Sequence, residues 1–308
     1  MADKTEYRFL GGSGLKVSSI CLGTMTFGDW ALLPGQCDEA ASHAILDRYV
    51  ELGGNFIDTA DVYAEGRSEE IIGSWLEKQQ RDKFVVATKV RSNTRKDINR
   101  QGLSRHHIMQ SIDDSLRRLH TDYVDLYQIH MWDEAVPIEE TLLALNDLVR
   151  AGKVRYLGAS NVTGWQLQKI VDLSKSMGLN KWISLQVRHI WFYNEQFQDI
   201  FAEHRPYLAL HKSTVKKKSA YNEPAETNGK TLAQVAIRWL LQKDVVSSVI
   251  IGAKTLQQLE DNMGAATGWE IAEEQMAELD TVSQMEPTYP YRMITSRNRD
   301  RVRKNLCQ

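Results

Sequence analysis

Val124-Asp125-Leu126-Tyr127-Gln128-Ile129-His130 is an apolar run that stops at an imidazole, and Val154-Arg155-Tyr156-Leu157-Gly158-Ala159 is a second run that stops at Ser160-Asn161. Between them, residues 138–150 carry a helical pattern with Pro137 at its start and Gly152 past its end, the residues that suit those two positions. Strand, helix and strand in this order read as one parallel β-α-β unit. The same rhythm continues upstream. Asn55-Phe56-Ile57 runs into Asp58 with Tyr63 close behind, and Phe84-Val85-Val86-Ala87-Thr88 runs into Lys89. An acid, a phenol, an amine and an imidazole at successive strand ends point to one shared site on one rim of a parallel β/α structure.

Along the rest of the chain, Ser19-Ile20-Cys21-Leu22-Gly23, Trp182 to Val187 and Val245 to Ile251 read as further strands. Helices are expected over residues 39–51, 68–78, 104–119, 163–177, 231–242, 256–263 and 273–282. Tyr207-Leu208-Ala209-Leu210 is the stretch available for a seventh strand, which brings the count to eight. Tyr7 to Ser18, two short apolar pieces around Gly11-Gly12-Ser13-Gly14, reads as a hairpin. The expected fold is α/β: a (β/α)8 TIM barrel with an N-terminal hairpin, a single domain over residues 1–308, irregular around strand seven.

Lys and Arg number 38 against 40 Asp and Glu, a net charge of −2, so nothing global draws the chain to nucleic acid or an acidic membrane. Cys21, Cys37 and Cys307 lack metal-ligand spacing and an even disulfide complement, which fits a reducing, cytoplasmic setting. The polar N-terminus does not read as a signal peptide, and no stretch reaches the ~18 apolar residues of a spanning helix. His106-His107 are adjacent at a helix start and do not face one metal.

Gly23-Thr24-Met25, Asn55 to Tyr63, Lys89, Gln128-Ile129-His130 and Gly158-Ala159-Ser160-Asn161 together resemble the aldo-keto reductases, barrel enzymes that reduce aldehydes and ketones with NADPH. The match runs over about residues 7–186 and 229–294 in the family's order. It implies that Tyr63 is the general acid, that Lys89 lowers the phenol's pKa, that Asp58 holds Lys89 charged, and that His130 polarises the carbonyl. It also implies a cofactor site. Gly23, Thr24, Met25, Asp58, Ser160, Asn161 and Gln186 would surround the nicotinamide, with Gly252, Lys254, Gln258, Asp261 and Asn262 at the adenosine end. Lys254 beside a 2′-phosphate would favour NADP. The partner implied is a small carbonyl substrate; oligomeric state is not legible. Trp132 reads equally as a pocket wall or as packing.

Residues 187–228 depart from the family pattern: no Ser-Pro-Leu loop follows, and Trp191, Phe192 and Tyr193 stand where one stacking Tyr is usual. Weaker cofactor binding is the expected consequence. The resemblance extends to potassium-channel β subunits, so a cofactor-sensing subunit, or an inactive variant, are the alternative readings. Residues 297–304 form a basic tail that reads as solvated.

Overall fold

The computed structural model describes residues 5–29, 36–92, 97–187 and 220–283. Strands β1 (Tyr7–Phe9) and β2 (Lys16–Ser18) pair antiparallel, Tyr7 opposite Ser18. This is the expected hairpin. Gly11 at its tip has φ +53, and a Cβ there would lie 1.9 Å from the Ile183 carbonyl oxygen, so only glycine fits.

The main sheet is parallel throughout. It contains β3 (Ile20–Gly23), β4 (Phe56–Asp58), β5 (Val85–Val90), β6 (Val124–Ile129), β7 (Val154–Ser160), β8 (Trp182–Gln186) and β9 (Val249–Ile251). Its order is β8-β7-β6-β5-β4-β3-β9. Sequence neighbours are spatial neighbours, and the last strand returns to the first, Ile20 opposite Val249. That is the cyclic order of a (β/α)8 barrel. The stretch proposed for strand seven, residues 207–210, lies outside the described residues, as do the aromatics at 191–193 and the basic tail. Among the described residues, no helix is long and apolar enough to cross a membrane.

Helices α1 (Glu39–Glu51), α2 (Arg67–Leu76), α3 (Arg105–Arg118), α4 (Ile138–Arg150) and α5 (Gly164–Ser176) alternate with β3–β8. α6 (Asn222–Asn228), α7 (Leu232–Leu241), α8 (Leu256–Met263) and α9 (Glu273–Ser283) follow. In α4, Leu142, Leu145 and Leu148 fall on one buried stripe, as the helical period requires. Thr163 donates its backbone N–H to Gln166 at 2.8 Å, closing the start of α5.

Period-two alternation divides the sheet into two faces. Ile57, Val86, Val90, Tyr127, Ile129, Leu157 and Ala159 point outward into the helix-packed core. Cys21, Phe56, Val85, Ala87 and Leu126 point inward and meet Leu10 and Val17 of the hairpin. The hairpin therefore closes the N-terminal end of the sheet, and the opposite, C-terminal rim is left for polar residues. Two boundaries differ from expectation. β5 runs on through Lys89 to Val90, because Lys89 pairs with Gln128 of β6. Only Val249–Ile251 of the expected strand at residues 245–251 pairs with β3; Val245 is 92% exposed and Val246 closes a turn onto the Lys243 carbonyl. Helix α6 falls where no helix was expected.

Candidate active site

Asp58, Lys89, Gln128, Ser160 and Gln186 close the inward-facing rows of β4 to β8. Lys89 is 1% exposed, and its Nζ donates to Asp58 Oδ2 at 2.6 Å and to the Thr59 carbonyl at 2.7 Å. A third contact, 3.3 Å, reaches the Tyr63 hydroxyl. Lys89 also lies 5.0 Å from the centre of the Tyr63 ring. His130 meets that ring edge-on at 5.9 Å. The four residues expected at one site are brought together.

Tyr63 opens a 3₁₀ turn, Tyr63–Gly66, in which Ala64 and Glu65 both take positive φ, +48 and +58. Left-handed backbone at two non-glycine residues is costly, and such strain persists only where the surroundings hold it. They do so here. Gly66 lies against the Arg118 side chain, Arg118 pairs with the buried Glu69 at 2.6 Å, and Glu69 accepts from Thr88 at 2.6 Å. The ion pair thus anchors the tyrosine's loop to the back of the strand that carries Lys89.

Burial works to deprotonate Lys89, but the Asp58 carboxylate and Tyr63 outweigh it and hold the ammonium above its ordinary range. Tyr63 departs from expectation. Burial and Asp58 together outweigh the lowering effect of Lys89, so the phenol is held above its ordinary value rather than below it. Its proton is firmly retained across neutral pH.

His130 is pulled down to about 4 by burial, with Lys89 and Arg91 adding to the effect, so the ring is neutral at physiological pH. This has a consequence for stability. Because the unfolded chain takes up a proton near 6.5 and the folded chain only near 4, stability falls as pH drops through that window. The loss reaches about 3 kcal/mol from this residue alone. Urea unfolding between pH 7 and 4 should show His130→Gln losing less stability than the parent by that amount. Equal slopes for the two proteins would reject a buried neutral imidazole.

Asn161, at φ +51, donates from Nδ2 to the His130 carbonyl at 2.9 Å and to Ser160 Oγ at 3.0 Å, while its N–H reaches the Gln186 carbonyl at 3.2 Å. Asn161 is exposed, Gln186 half-buried and Ser160 buried. Thr24 sits differently from expectation: fully buried, its hydroxyl bonds Ser68 Oγ and the Asp58 carbonyl, so it braces the wall instead of facing the mouth. Met25 next to it is exposed. Gly23 packs against Ile250 and Ile251 with no room for a Cβ.

The remaining expected residues form a second group beside β3. Thr26 Oγ1 donates to the Ala253 carbonyl at 3.0 Å, which sets the exposed Gly252 beside the Thr26 side chain. Lys254 donates its N–H to Gln258 Oε1 at 2.9 Å, and Asn262 Nδ2 reaches the Gly252 carbonyl at 3.3 Å. Asp261 faces α7 instead, accepting from Thr231 Oγ1 at 3.1 Å. Trp132 packs edge-on to the exposed Trp165 at 5.8 Å, both just beyond the rim that carries His130. The sequence alone assigns no role to Thr59, whose carbonyl leaves no side-chain trace, or to Gln128, an amide that shares its strand's inward parity with the apolar Val124 and Leu126.

A family description, the aldo/keto reductase family, matches residues 19–204 and 192–284. A norsolorinic acid reductase of Emericella nidulans is 29% identical over 331 aligned positions, covering 96% of this chain and 85% of that protein. Norsolorinic acid reductase A of Aspergillus parasiticus is 30% identical over 96% of this chain and 85% of its own length. Versiconal hemiacetal acetate reductase of Aspergillus parasiticus is 38% identical over 60% of this chain and 59% of that protein. The first alignment is longer than the 308-residue chain, so that relative carries stretches this chain lacks.

Proposed function

The chain belongs to the aldo/keto reductase family of oxidoreductases, and on that premise we propose that it reduces aldehydes or ketones to alcohols with NADPH, Tyr63 serving as the general acid. The observation that carries this reading is the Lys89 ammonium, buried, held by Asp58 and the Thr59 carbonyl, and turned toward the Tyr63 hydroxyl.

The residues at the rim suit a dinucleotide. Ser160, Asn161 and Gln186 supply hydroxyl and amide groups beside Asp58, which fits a nicotinamide carboxamide. Gly252 is open on its exposed side, and Lys254 stands near the start of α8, which fits a phosphate-bearing adenosine end. NADPH, when bound, supplies the hydride that adds to the carbonyl carbon. The chain's own residues do the rest. His130, neutral and half-buried, donates a hydrogen bond to the carbonyl oxygen and draws electron density onto it. The alkoxide that forms is a far stronger base than phenolate, so Tyr63 protonates it even with its pKa held high. Lys89 then stabilises the phenolate left behind.

The Trp132–Trp165 pair offers an aromatic wall beside His130, which favours ring-bearing carbonyl compounds. Norsolorinic acid and versiconal hemiacetal acetate, named in the relatives, are suitable first compounds to assay. The test is a titration of the purified chain with NADPH and NADH, read by its eight tryptophans, followed by a carbonyl panel. Micromolar NADPH binding with turnover is expected. Lys254→Ala should weaken NADPH about tenfold and leave NADH within twofold, the loss of one charge-assisted phosphate contact. A folded sample that binds neither nucleotide sinks the reading.

A further inference from the structure

Gln128 crosses the inside of the sheet. From β6 its Nε2 donates to Asp58 Oδ1 on β4 at 3.1 Å and to Gln186 Oε1 on β8 at 3.0 Å. Gln186 Nε2 in turn reaches Asp58 Oδ2 at 3.3 Å. The side chain is 2% exposed, so no solvent competes for these bonds. Gly158 on β7 makes the crossing possible: a Cβ there would stand 3.3 Å from Gln128 Cγ and 2.4 Å from Ser184 Oγ. The amide has one workable orientation. Turned over, it would set a carbonyl oxygen against the Asp58 carboxylate.

We propose that Gln128 is a positioning residue that binds Asp58 and Gln186 into one unit, so that the carboxylate orienting Lys89 and the amide facing the nicotinamide keep a fixed separation. This rests on the reductase reading. Among the described residues Asp58 then has three donors, Lys89, Gln128 and Gln186, and its charge is shared among them. Without Gln128 the carboxylate is free to turn about its bond to Lys89, and the ammonium drifts from the Tyr63 hydroxyl. Gln186 also loses its anchor, and its rotamer must be fixed anew when nucleotide binds.

Two variants separate positioning from packing. Gln128→Met keeps the volume and removes the donor. Its kcat should fall about tenfold, the worth of a bond to a buried charge, with the carbonyl KM within twofold. Its NADPH dissociation constant, read by tryptophan fluorescence, should rise about threefold. Gln128→Glu places a second carboxyl against Asp58, and two such groups share a proton when pH is low. Among the described residues Lys89, Tyr63 and Cys21 are the other titratable groups around Asp58, and all three are common to both variants. Gln128→Glu should therefore turn over within about threefold of the parent near pH 6 and fall to the Gln128→Met rate near pH 9. Where Gln128→Met does not fold, that pH-dependent recovery decides alone. A Gln128→Met kcat within twofold of the parent overturns the proposal, as do two variants that track each other at every pH. If the parent binds NADPH but reduces nothing, the reductase reading fails, and an unchanged NADPH affinity in Gln128→Met overturns the tie to Gln186. A parent that does neither overturns both.

Discussion

Tyr63→Phe is expected to lower carbonyl reduction by about a thousandfold, within the range that a positioned general acid contributes. The ring stays, so its edge contact with His130 at 5.9 Å and its place over Lys89 at 5.0 Å are kept. What leaves is one hydroxyl, which accepts a long 3.3 Å bond from Lys89. The stability cost should stay within about 1 kcal/mol, and NADPH affinity within twofold. This contrast makes the experiment decisive: chemistry collapses in a protein that is otherwise unchanged. The parent's pH profile adds a second check. With Tyr63 held above its ordinary value by burial, its acid form persists through neutral pH, so the reduction rate should show no falling limb from Tyr63 below about pH 10. A Tyr63→Phe protein that keeps a tenth of the parent's activity would assign the proton to another donor.

The polar ends of the strands were legible because two periodicities coincide. Inward parity in β4 to β8 selects Asp58, Lys89, Ser160 and Gln186, while apolar residues of the opposite parity pack under the helices. Apolar runs ending in chemistry are visible without coordinates. Gln128 obeys the same parity, yet it sits one turn of the alternation inside the run and so reads as strand filler. Thr59 acts through its carbonyl, which any residue would offer. The sign of the Tyr63 shift depends on how desolvation balances Lys89, a competition set by depth and not by residue type. The start of the last strand differs from expectation for a related reason: Val245 and Val246 are apolar, but β3 offers partners only from Ser19 onward, so pairing begins at Val249. Thr24 shows the limit of matching motifs. It stands at the expected place in the chain, and its hydroxyl is spent on Ser68 and the Asp58 carbonyl.

The largest stability effect is expected from Lys89→Met. Lys89 and Asp58 are 1% and 3% exposed at 2.6 Å, so each charge depends on the other for its solvation. Removing the ammonium leaves a carboxylate whose donors, among the described residues, are only the Gln128 and Gln186 amides. An uncompensated buried charge costs about 3–5 kcal/mol, a large fraction of the stability of a typical domain. Urea unfolding at about pH 7 should show this loss against the parent. Lys89→Met combined with Asp58→Leu removes both charges and should recover most of the loss, since an apolar pair of similar volume is often neutral or stabilising. Both proteins should be inactive, because Tyr63 has lost the cation that stabilises its phenolate. Stability restored without activity would place the pair's value in catalysis and not in holding the sheet together. A single-variant loss below about 1 kcal/mol would mean the pair is solvated, and the account of Lys89 as a buried ammonium would have to be abandoned.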